Sequence, residues 1–239
     1  MKLYGKNPVI ERIRSNPQSI RRILIEQGHN DHGFIAQKAK KWGIPVSAVP
    51  ASQLLKIARN VNTQGVVADV DDFAYMPYVE LLEMSVEKGW TVIFLDGVTD
   101  PQNLGAIFRS LGCLGGFALV LPTKDSVSVT EAVLRVASGG ENYVRVSQVS
   151  NLAQAVAKAK DAGFCMAGSI VDEGESLFEA RLQFPLGLVL GSEQKGIRDV
   201  VKKLVDVKLT IPMAQNKMSY NVAQAATIFA YEITKQKKS

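Results

Sequence analysis

The feature that most constrains the fold is a regular alternation of short apolar runs with helical segments. From Trp90 onward the runs have the length of buried strands, at residues 92–95, 118–121, 165–169, 186–190 and 207–211. Helices are predicted between them at 101–113, 130–136, 152–162 and 198–204, and a last helix from about 220 to 235. Strands that are apolar throughout are typical of parallel sheets covered on both faces. The sequence therefore predicts an α/β fold.

The first third of the chain shows a smaller alternation of the same kind. Helices are predicted at residues 8–14, 34–42 and 52–58, and strands at 20–26, 45–49 and 66–70. The segment 71–89 then carries five acidic residues and one basic residue, and its second half can form a helix from Tyr78. We predict a small α/β domain at 1–70, a linker at 71–89 and a larger α/β domain at 90–239. The helix in 71–89 could equally be the first helix of the larger domain.

Charge is spread unevenly along the chain. The 239 residues carry a net charge of +5, but residues 1–70 hold eleven basic and four acidic residues, and the remainder has a net charge of −2. A basic module on a nearly neutral body indicates either a surface for nucleic acid or a solvated basic face. The candidate phosphate-binding residues are Arg12, Arg14, Arg21, Arg22, Lys38, Lys40 and Lys41.

Composition disfavours several classes of protein. Two cysteines, Cys113 and Cys165, cannot form a disulfide framework and are typical of a reducing cytoplasm. Two histidines, His29 and His32, have no cysteine nearby, so we expect no metal site. No run approaches the roughly 18 apolar residues of a membrane span. The first sixteen residues lack the apolar stretch of a secretory signal, and we expect a cytoplasmic protein.

Three strand ends are followed by unusually polar loops, where ligands bind in open α/β sheets. In the first, residues 96–110, Asp100 and Pro101 can start a helix. Gly105 and Arg109 are four apart and share one face of that helix. Arg109 could hold a phosphate near the positive helix end, or it could be an ordinary surface arginine.

The second and third loops are residues 186–197 and 210–233. The second loop places Gly191, Ser192, Glu193 and Gly196 after a buried strand, without the spacing of a Walker A loop. In the third, Ser219 stands where a helix cap is expected. The helix that follows is apolar on more than one side, which indicates either a homodimer interface or a deeply buried core helix. Its apolar face is formed by Val222, Ala225, Ala226, Phe229 and Ile233.

Three segments together resemble a known family. NLGAIFRS (103–110), LGSEQKGI (190–197) and IPMAQNKMSYNVAQA (211–225) are similar to the three motifs of the SpoU, or TrmH-type, RNA ribose 2′-O-methyltransferases. DGVTDPQNLGAIFRS is similar to the enzymes that methylate a guanosine ribose in 23S ribosomal RNA. The opening YGKNPVIERI resembles the start of the family's ribosomal-protein-like substrate-binding domain. The chain departs from the family pattern at Gln215, Met218 and Tyr220.

The resemblance implies a SPOUT fold with a C-terminal trefoil knot, S-adenosylmethionine as cofactor, ribosomal RNA as partner, and a homodimer. The family's catalytic positions fall on Asn103, Arg109, Glu193, Ser219 and Asn221. Its cofactor contacts fall on Gly191, Ile211 and Tyr220, with Leu190 and Met213 as neighbours. Two alternatives stay open: a transfer-RNA ribose methyltransferase, and a knotted RNA-binding assembly factor without catalysis.

Overall fold

A computed structural model describes residues 1–58, 61–193, 195–214 and 218–238. Two β-sheets organise this part of the chain. The first has four strands in the order β1-β4-β2-β3, and the second has seven strands in the order β7-β6-β5-β10-β8-β11-β9, with all of its pairings parallel. The predicted mixed α/β fold is confirmed.

The N-terminal unit consists of the four-stranded sheet and three helices. Two of the three predicted strands match the observed ones and the third differs by one residue, whereas β1 was not predicted. The predicted helices agree to within two residues at each end. The strands are β1 (Lys2–Tyr4), β2 (Ile20–Glu26), β3 (Val46–Val49) and β4 (Val66–Val70). The helices are α1 (Lys6–Ser15), α2 (His32–Lys40) and α3 (Ala51–Ala58), and a 3-10 turn lies at Pro17–Ser19.

The C-terminal unit consists of the seven-stranded sheet and six helices. Its strands are β5 (Thr91–Asp96), β6 (Phe117–Pro122), β7 (Arg145–Val149), β8 (Cys165–Ser169), β9 (Glu175–Ser176), β10 (Leu186–Gly191) and β11 (Val207–Thr210). Its helices are α4 (Tyr78–Glu87), α5 (Pro101–Leu114), α6 (Glu131–Ala137), α7 (Leu152–Asp161), α8 (Asp199–Lys202) and α9 (Val222–Lys238), with a 3-10 turn at Gly140–Tyr143.

The sheet of the C-terminal unit is covered on both faces. In β5, Ile93 and Leu95 pack with α5, α6 and α9, whereas Val92 and Phe94 pack with α4 and α7. Successive side chains of a strand point to opposite faces, so a strand with helices on both sides must be apolar at every position. This arrangement explains the continuous apolar runs of the sequence. Among the described residues no helix combines the length and apolarity needed to cross a membrane.

The last helix differs from the sequence-based prediction in its start and in the role of its apolar face. Helix α9 begins at Val222 rather than near Tyr220, and Asn221 caps it by accepting a hydrogen bond from the backbone N–H of Ala223 (2.8 Å). Phe229 and Ile233 are fully buried within the chain, against α5 and the sheet. Their apolar face therefore belongs to the core, and it is not available as a dimer interface.

The two units are joined by buried contacts. Phe73 and Tyr75, in the segment between β4 and α4, pack on the main core, and the Phe73 ring lies 6.2 Å from that of Phe108. Arg12 of α1 forms an ion pair with the buried Glu141. The acidic segment thus supplies two apolar side chains, Phe73 and Tyr75, to the contact between the units.

Candidate active site

The polar loops meet at the carboxyl ends of the central strands. The parallel register pairs Leu95 with Leu190, and Asp96 with Gly191, so β5 and β10 end at the same level. Through β8, Leu209 of β11 lies at that level as well. The topology therefore brings the loops after β5, β10 and β11 to one edge of the sheet. This is the edge at which open α/β sheets bind their ligands.

Three predicted catalytic residues form one hydrogen-bonded cluster. The Asn103 amide N–H donates to Glu193 Oε1 (2.9 Å). The Asn221 amide donates both to Asn103 Oδ1 (2.9 Å) and to Glu193 Oε1. We call Asn103, Glu193 and Asn221 the amide–carboxylate cluster. Each residue comes from a different loop, so the cluster exists only when all three strand ends are in place.

Local structure fixes each member of the cluster. Asp100 accepts a hydrogen bond from the backbone N–H of Gln102 (2.9 Å), which starts α5 and places Asn103 in its first turn. Asn221 uses its carbonyl oxygen to cap α9, which leaves its amide N–H free to donate. The loop of Glu193 is closed by reciprocal backbone hydrogen bonds between Ser192 and Gly196 (3.2 and 2.9 Å).

Gly191 is required by this loop closure. A Cβ atom at Gly191 would lie 2.1 Å from the carbonyl carbon of Gly196 and 2.3 Å from the backbone nitrogen of Ile197. Real Cβ atoms do not approach backbone so closely, so only glycine fits at the end of β10. The predicted cofactor residue Gly191 thus has a clear structural role.

Arg109 lies apart from the cluster in a single chain. It is six residues from Asn103 on α5, which places it about 9 Å along the axis and about 120° around it. Its side chain is exposed and has no hydrogen-bond or ion-pair partner among the described residues. Gly105, four residues before Arg109, packs against Val136 of α6. Within one chain, no described hydrogen bond joins Arg109 to Asn103 or to the rest of the cluster.

The remaining predicted residues lie in β10 or in the segment between β11 and α9. Leu190 and Ile211 are buried, Met213 is half-buried, and Tyr220 is exposed. Ser219 is exposed and does not cap α9, since Asn221 does so. Met218 is exposed as well, and Gln215 lies outside the described residues.

A cavity of about 490 Å³ adjoins the cluster, and its wall includes Asp96 and Arg198, which were not predicted as site residues. The fully buried carboxylate of Asp96 accepts hydrogen bonds from the backbone N–H (2.9 Å) and from Nε (2.7 Å) of Arg198. A carboxylate at the end of an otherwise apolar strand was a signal for Asp96. Nothing in the sequence pointed to Arg198. The lining residues include Asn103, Asp125, Ser192, Glu193, Lys195 and Val222.

Two known protein families match the sequence of this chain. The SpoU rRNA methylase family matches residues 91–231, and the RNA 2′-O ribose methyltransferase substrate-binding domain matches residues 2–76. The chain belongs to the SpoU methylase family. The sequence-based family prediction is confirmed.

Individual relatives agree with this family. A protein named as a TrmH family tRNA/rRNA methyltransferase of Staphylococcus epidermidis is 33% identical over 239 residues, which cover 98% of this chain and 95% of that protein. A tRNA/rRNA methyltransferase of Synechocystis is also 33% identical, but the chain spans only 62% of its length.

A solved structure shows the same fold. The SpoU methyltransferase AviRb of Streptomyces viridochromogenes superposes with a TM-score of 0.82 at 23% identity, covering 100% of this chain and 91% of AviRb. AviRb was crystallised in complex with AdoMet, which agrees with the cofactor predicted for this chain.

Proposed function

We propose that this protein transfers a methyl group from S-adenosylmethionine to the ribose 2′-hydroxyl of a guanosine in 23S ribosomal RNA. The observation that carries the proposal is the amide–carboxylate cluster, which three separate loops assemble at the ligand-binding edge of the sheet. Family membership supports the chemistry, and the N-terminal α/β unit favours ribosomal over transfer RNA.

The residues after β11 fit the proposed cofactor. Met213 and Ala214 form no backbone hydrogen bond with another described residue, so their N–H and C=O groups are free to pair with an adenine edge. Ile211, Met213 and Tyr220 offer apolar surface beside them, and Leu190 and Gly191 form the adjacent strand end. When bound, S-adenosylmethionine supplies a methyl group on a sulfonium, whose thioether leaving group requires no acid.

The difficult part of this reaction is the weakly acidic hydroxyl nucleophile. Positioning of its oxygen and stabilisation of the negative charge that develops on it are the contributions a protein can make. Asn103, Ser219 and Asn221 orient the ribose, and Glu193 holds the two amides in place. An arginine offers a cationic, planar fork of N–H donors, so the role of Arg109 is to hold the neighbouring phosphate and stabilise the developing alkoxide.

The position of Arg109 supports a homodimer. Arg109 and Cys113 of α5 lie on the exposed side of the helix pair that α5 forms with α9, whose exposed side carries Thr227 and Tyr231. Ser110 and Thr227 tie the two helices together (2.7 Å between hydroxyl oxygens). We propose that this surface, formed by Arg109, Cys113, Thr227 and Tyr231, contacts a second copy.

Further parts of the proposal concern organisation and location. We propose domains at residues 1–70 and 90–239 joined by 71–89, whose helix α4 packs on the second domain, and a trefoil knot built from the loops after β10 and β11. A cytoplasmic location agrees with the two cysteines, which are unpaired. Among the described residues no group of histidine, cysteine and carboxylate side chains could hold a metal ion, and the proposed reaction needs none.

Two measurements test the proposed function. Calorimetry should detect S-adenosylmethionine binding, and labelled methyl groups should pass to unmodified 23S ribosomal RNA but not to transfer RNA. Mapping the 2′-O-methyl group missing from a deletion strain identifies the nucleotide. Arg109→Lys should lose most turnover, because a lysine lacks the planar bidentate fork. Normal turnover by that variant, or methylation of transfer RNA alone, contradicts the proposal.

A further inference from the structure

The basic residues of the N-terminal unit separate into two groups once their partners are known. Ion pairs with carboxylates hold Lys2, Lys6, Arg12, Arg14, Arg21 and Arg22. Four of the predicted phosphate ligands, the arginines, are in this group. Lys38, Lys40 and Lys41, on α2 or directly after it, and Lys56 on α3 form no ion pair with any described residue, and Arg59 lies outside the described residues. The positive charge that remains available to a ligand is therefore concentrated at α2.

The same helix exposes two aromatic rings. Phe34 is 43% exposed near the start of α2, and Trp42 is 48% exposed just beyond its end. Ile35 and Ala39 on the opposite face are fully buried, so the helix is anchored by that face and presents the rings to solvent. Residues 32–43 contain no acidic side chain. We call Phe34, Lys38, Lys40, Lys41 and Trp42 the α2 platform.

Each ring of the platform is associated with a lysine. The ammonium of Lys38 lies 5.6 Å from the centre of the Phe34 ring, and that of Lys41 lies 5.9 Å from the Trp42 ring. Cation–π contacts at exposed sites are weak, so a stacking base can displace the ammonium from the ring face. The displaced lysine can then contact the phosphate of the same nucleotide.

We propose that the α2 platform binds unpaired nucleotides of the RNA substrate, with bases stacked on Phe34 and Trp42 and phosphates on the lysines. This inference rests on the proposed function, and it specifies a single-stranded loop or bulge as the element recognised. Bases stacked within a duplex do not offer their faces to a protein, whereas unpaired bases do. The absence of acidic residues and the free cations match a polyanion rather than an acid-bearing protein.

The chain contains two tryptophans, which allows a direct test. Full-length Trp90→Phe protein reports Trp42 fluorescence alone. Titration with an unstructured RNA 12-mer should quench that fluorescence, and a matched RNA duplex should not. The affinity for a labelled 12-mer, measured by anisotropy on the wild-type background, should fall about tenfold in Phe34→Ala and in Trp42→Ala. Lys38→Ala should reduce the salt dependence of binding.

Leu55 supplies a matched control, because it is an apolar side chain of the same unit that is 64% exposed on α3. Leu55→Ala should bind the 12-mer like the wild type. Equal affinity for duplex and single strand, or unchanged affinity in both ring variants, overturns the platform. The platform is also overturned if Phe34 and Trp42 bind a second copy of the protein more tightly than they bind the 12-mer.

The outcome for the platform can be separated from that for the proposed activity. S-adenosylmethionine binding is measured in parallel and should be the same in the wild type and all platform variants. Loss of RNA affinity in the ring variants upholds the platform even if no RNA accepts a methyl group, in which case the proposed activity fails alone. Methyl transfer with unaltered RNA affinity in those variants overturns the platform and leaves the activity standing.

Discussion

Arg12 and Glu141 form a buried ion pair that connects the N-terminal unit to the C-terminal unit. The Nη2 and Oε1 atoms are 3.1 Å apart, and the two side chains are 8% and 0% exposed. Burial raises the pKa of Glu141, and the positive charge of Arg12 opposes that shift. Arg12 also donates to the hydroxyl of Ser19 (3.2 Å), so it joins three elements of the fold.

Removal of Arg12 should destabilise the protein strongly. Arg12→Ala leaves the Glu141 carboxylate buried without its partner, which costs about 3–5 kcal/mol in the free energy of unfolding. The pKa of Glu141 should rise further in the variant, so its deficit should shrink as the pH is lowered and the carboxyl group takes up a proton. Urea unfolding at several pH values measures both effects.

Arg14→Ala is the control for this prediction. Arg14 lies on the same helix and pairs with Glu11 at the surface, so its removal should change the free energy of unfolding by less than about 1 kcal/mol. Similar unfolding midpoints for Arg12→Ala and Arg14→Ala would show that the buried pair does not stabilise the contact between the two units.

Asn221 has two roles that substitutions can separate. Its oxygen caps α9, and its N–H groups hold Asn103 and Glu193. Asn221→Ala should lose about 1 kcal/mol of stability and about 100-fold in methyl transfer. Asn221→Asp keeps the cap but cannot donate and places a second carboxylate beside Glu193, so turnover should fall while the cap contribution is retained.

Asn151 is the control for Asn221, because it caps a helix but does not belong to the amide–carboxylate cluster. It caps α7 through its oxygen, which accepts from the backbone N–H of Gln154 (3.1 Å). Asn151→Ala should lose a similar stability and keep full methyl transfer. If the Asn151 and Asn221 variants lost activity to the same extent, the effect of Asn221 would be one of stability alone.

The sequence predicted the C-terminal sheet well where strands are buried on both faces, and less well at its margins. Strands β7 and β9 were not predicted. Strand β7 lies at an edge of the sheet, and its run of Arg145, Val146, Ser147 and Gln148 alternates polarity only weakly. Strand β9 has two residues, which are too few to show a periodic pattern in the sequence.

The three residues of the amide–carboxylate cluster could be identified from the sequence motifs, but the hydrogen bonds between them could not. The order of the three motifs identified Asn103, Glu193 and Asn221, which lie up to 118 residues apart and yet share hydrogen bonds. The burial of Phe229 could not be distinguished from an interface, because both demand the same apolar residues. The separation of Arg109 from Asn103 depends on the helix phase, which fixes the side of α5 each residue occupies.

Gly191 should tolerate no side chain. Gly191→Ala places a Cβ against the backbone of Gly196 and Ile197, so the loop that carries Glu193 must open. We expect a loss of about 3 kcal/mol in stability and weaker S-adenosylmethionine binding by calorimetry. Gly33→Ala is the control, since a Cβ there meets nothing within 4 Å and the backbone needs no left-handed conformation. Unchanged cofactor affinity in Gly191→Ala would contradict the role of this loop.

The proposed dimer surface predicts a contrast between two residues of α9. Tyr231 is 64% exposed, so Tyr231→Glu should fold normally, sediment as a monomer and lose methyl transfer. Phe229 is buried, so Phe229→Glu should instead unfold the chain. A folded Tyr231→Glu protein that sediments as a dimer, or a wild-type monomer with full activity, would exclude this surface as the interface.

Lys237 should make stability depend on pH in the alkaline range. Its ammonium donates to the carbonyl oxygen of Gly89 (2.7 Å) and lies over the rings of Phe117 and Phe184. Desolvation there lowers the pKa of Lys237 to about 8, from an ordinary value of 10.5. Between these values the folded state binds fewer protons than the unfolded state, so the Lys237 contribution to stability becomes more favourable as the pH rises.

This prediction is tested with Lys237→Met, and with Lys238→Met as the control at the exposed neighbour. The stability of the wild type relative to Lys237→Met should increase between pH 7.5 and pH 9, a range chosen from the lowered pKa and below the tyrosine titrations. The difference between the wild type and Lys238→Met should stay constant over the same range. Parallel pH profiles for all three proteins would show that the ammonium of Lys237 is as well solvated in the folded state as in the unfolded one.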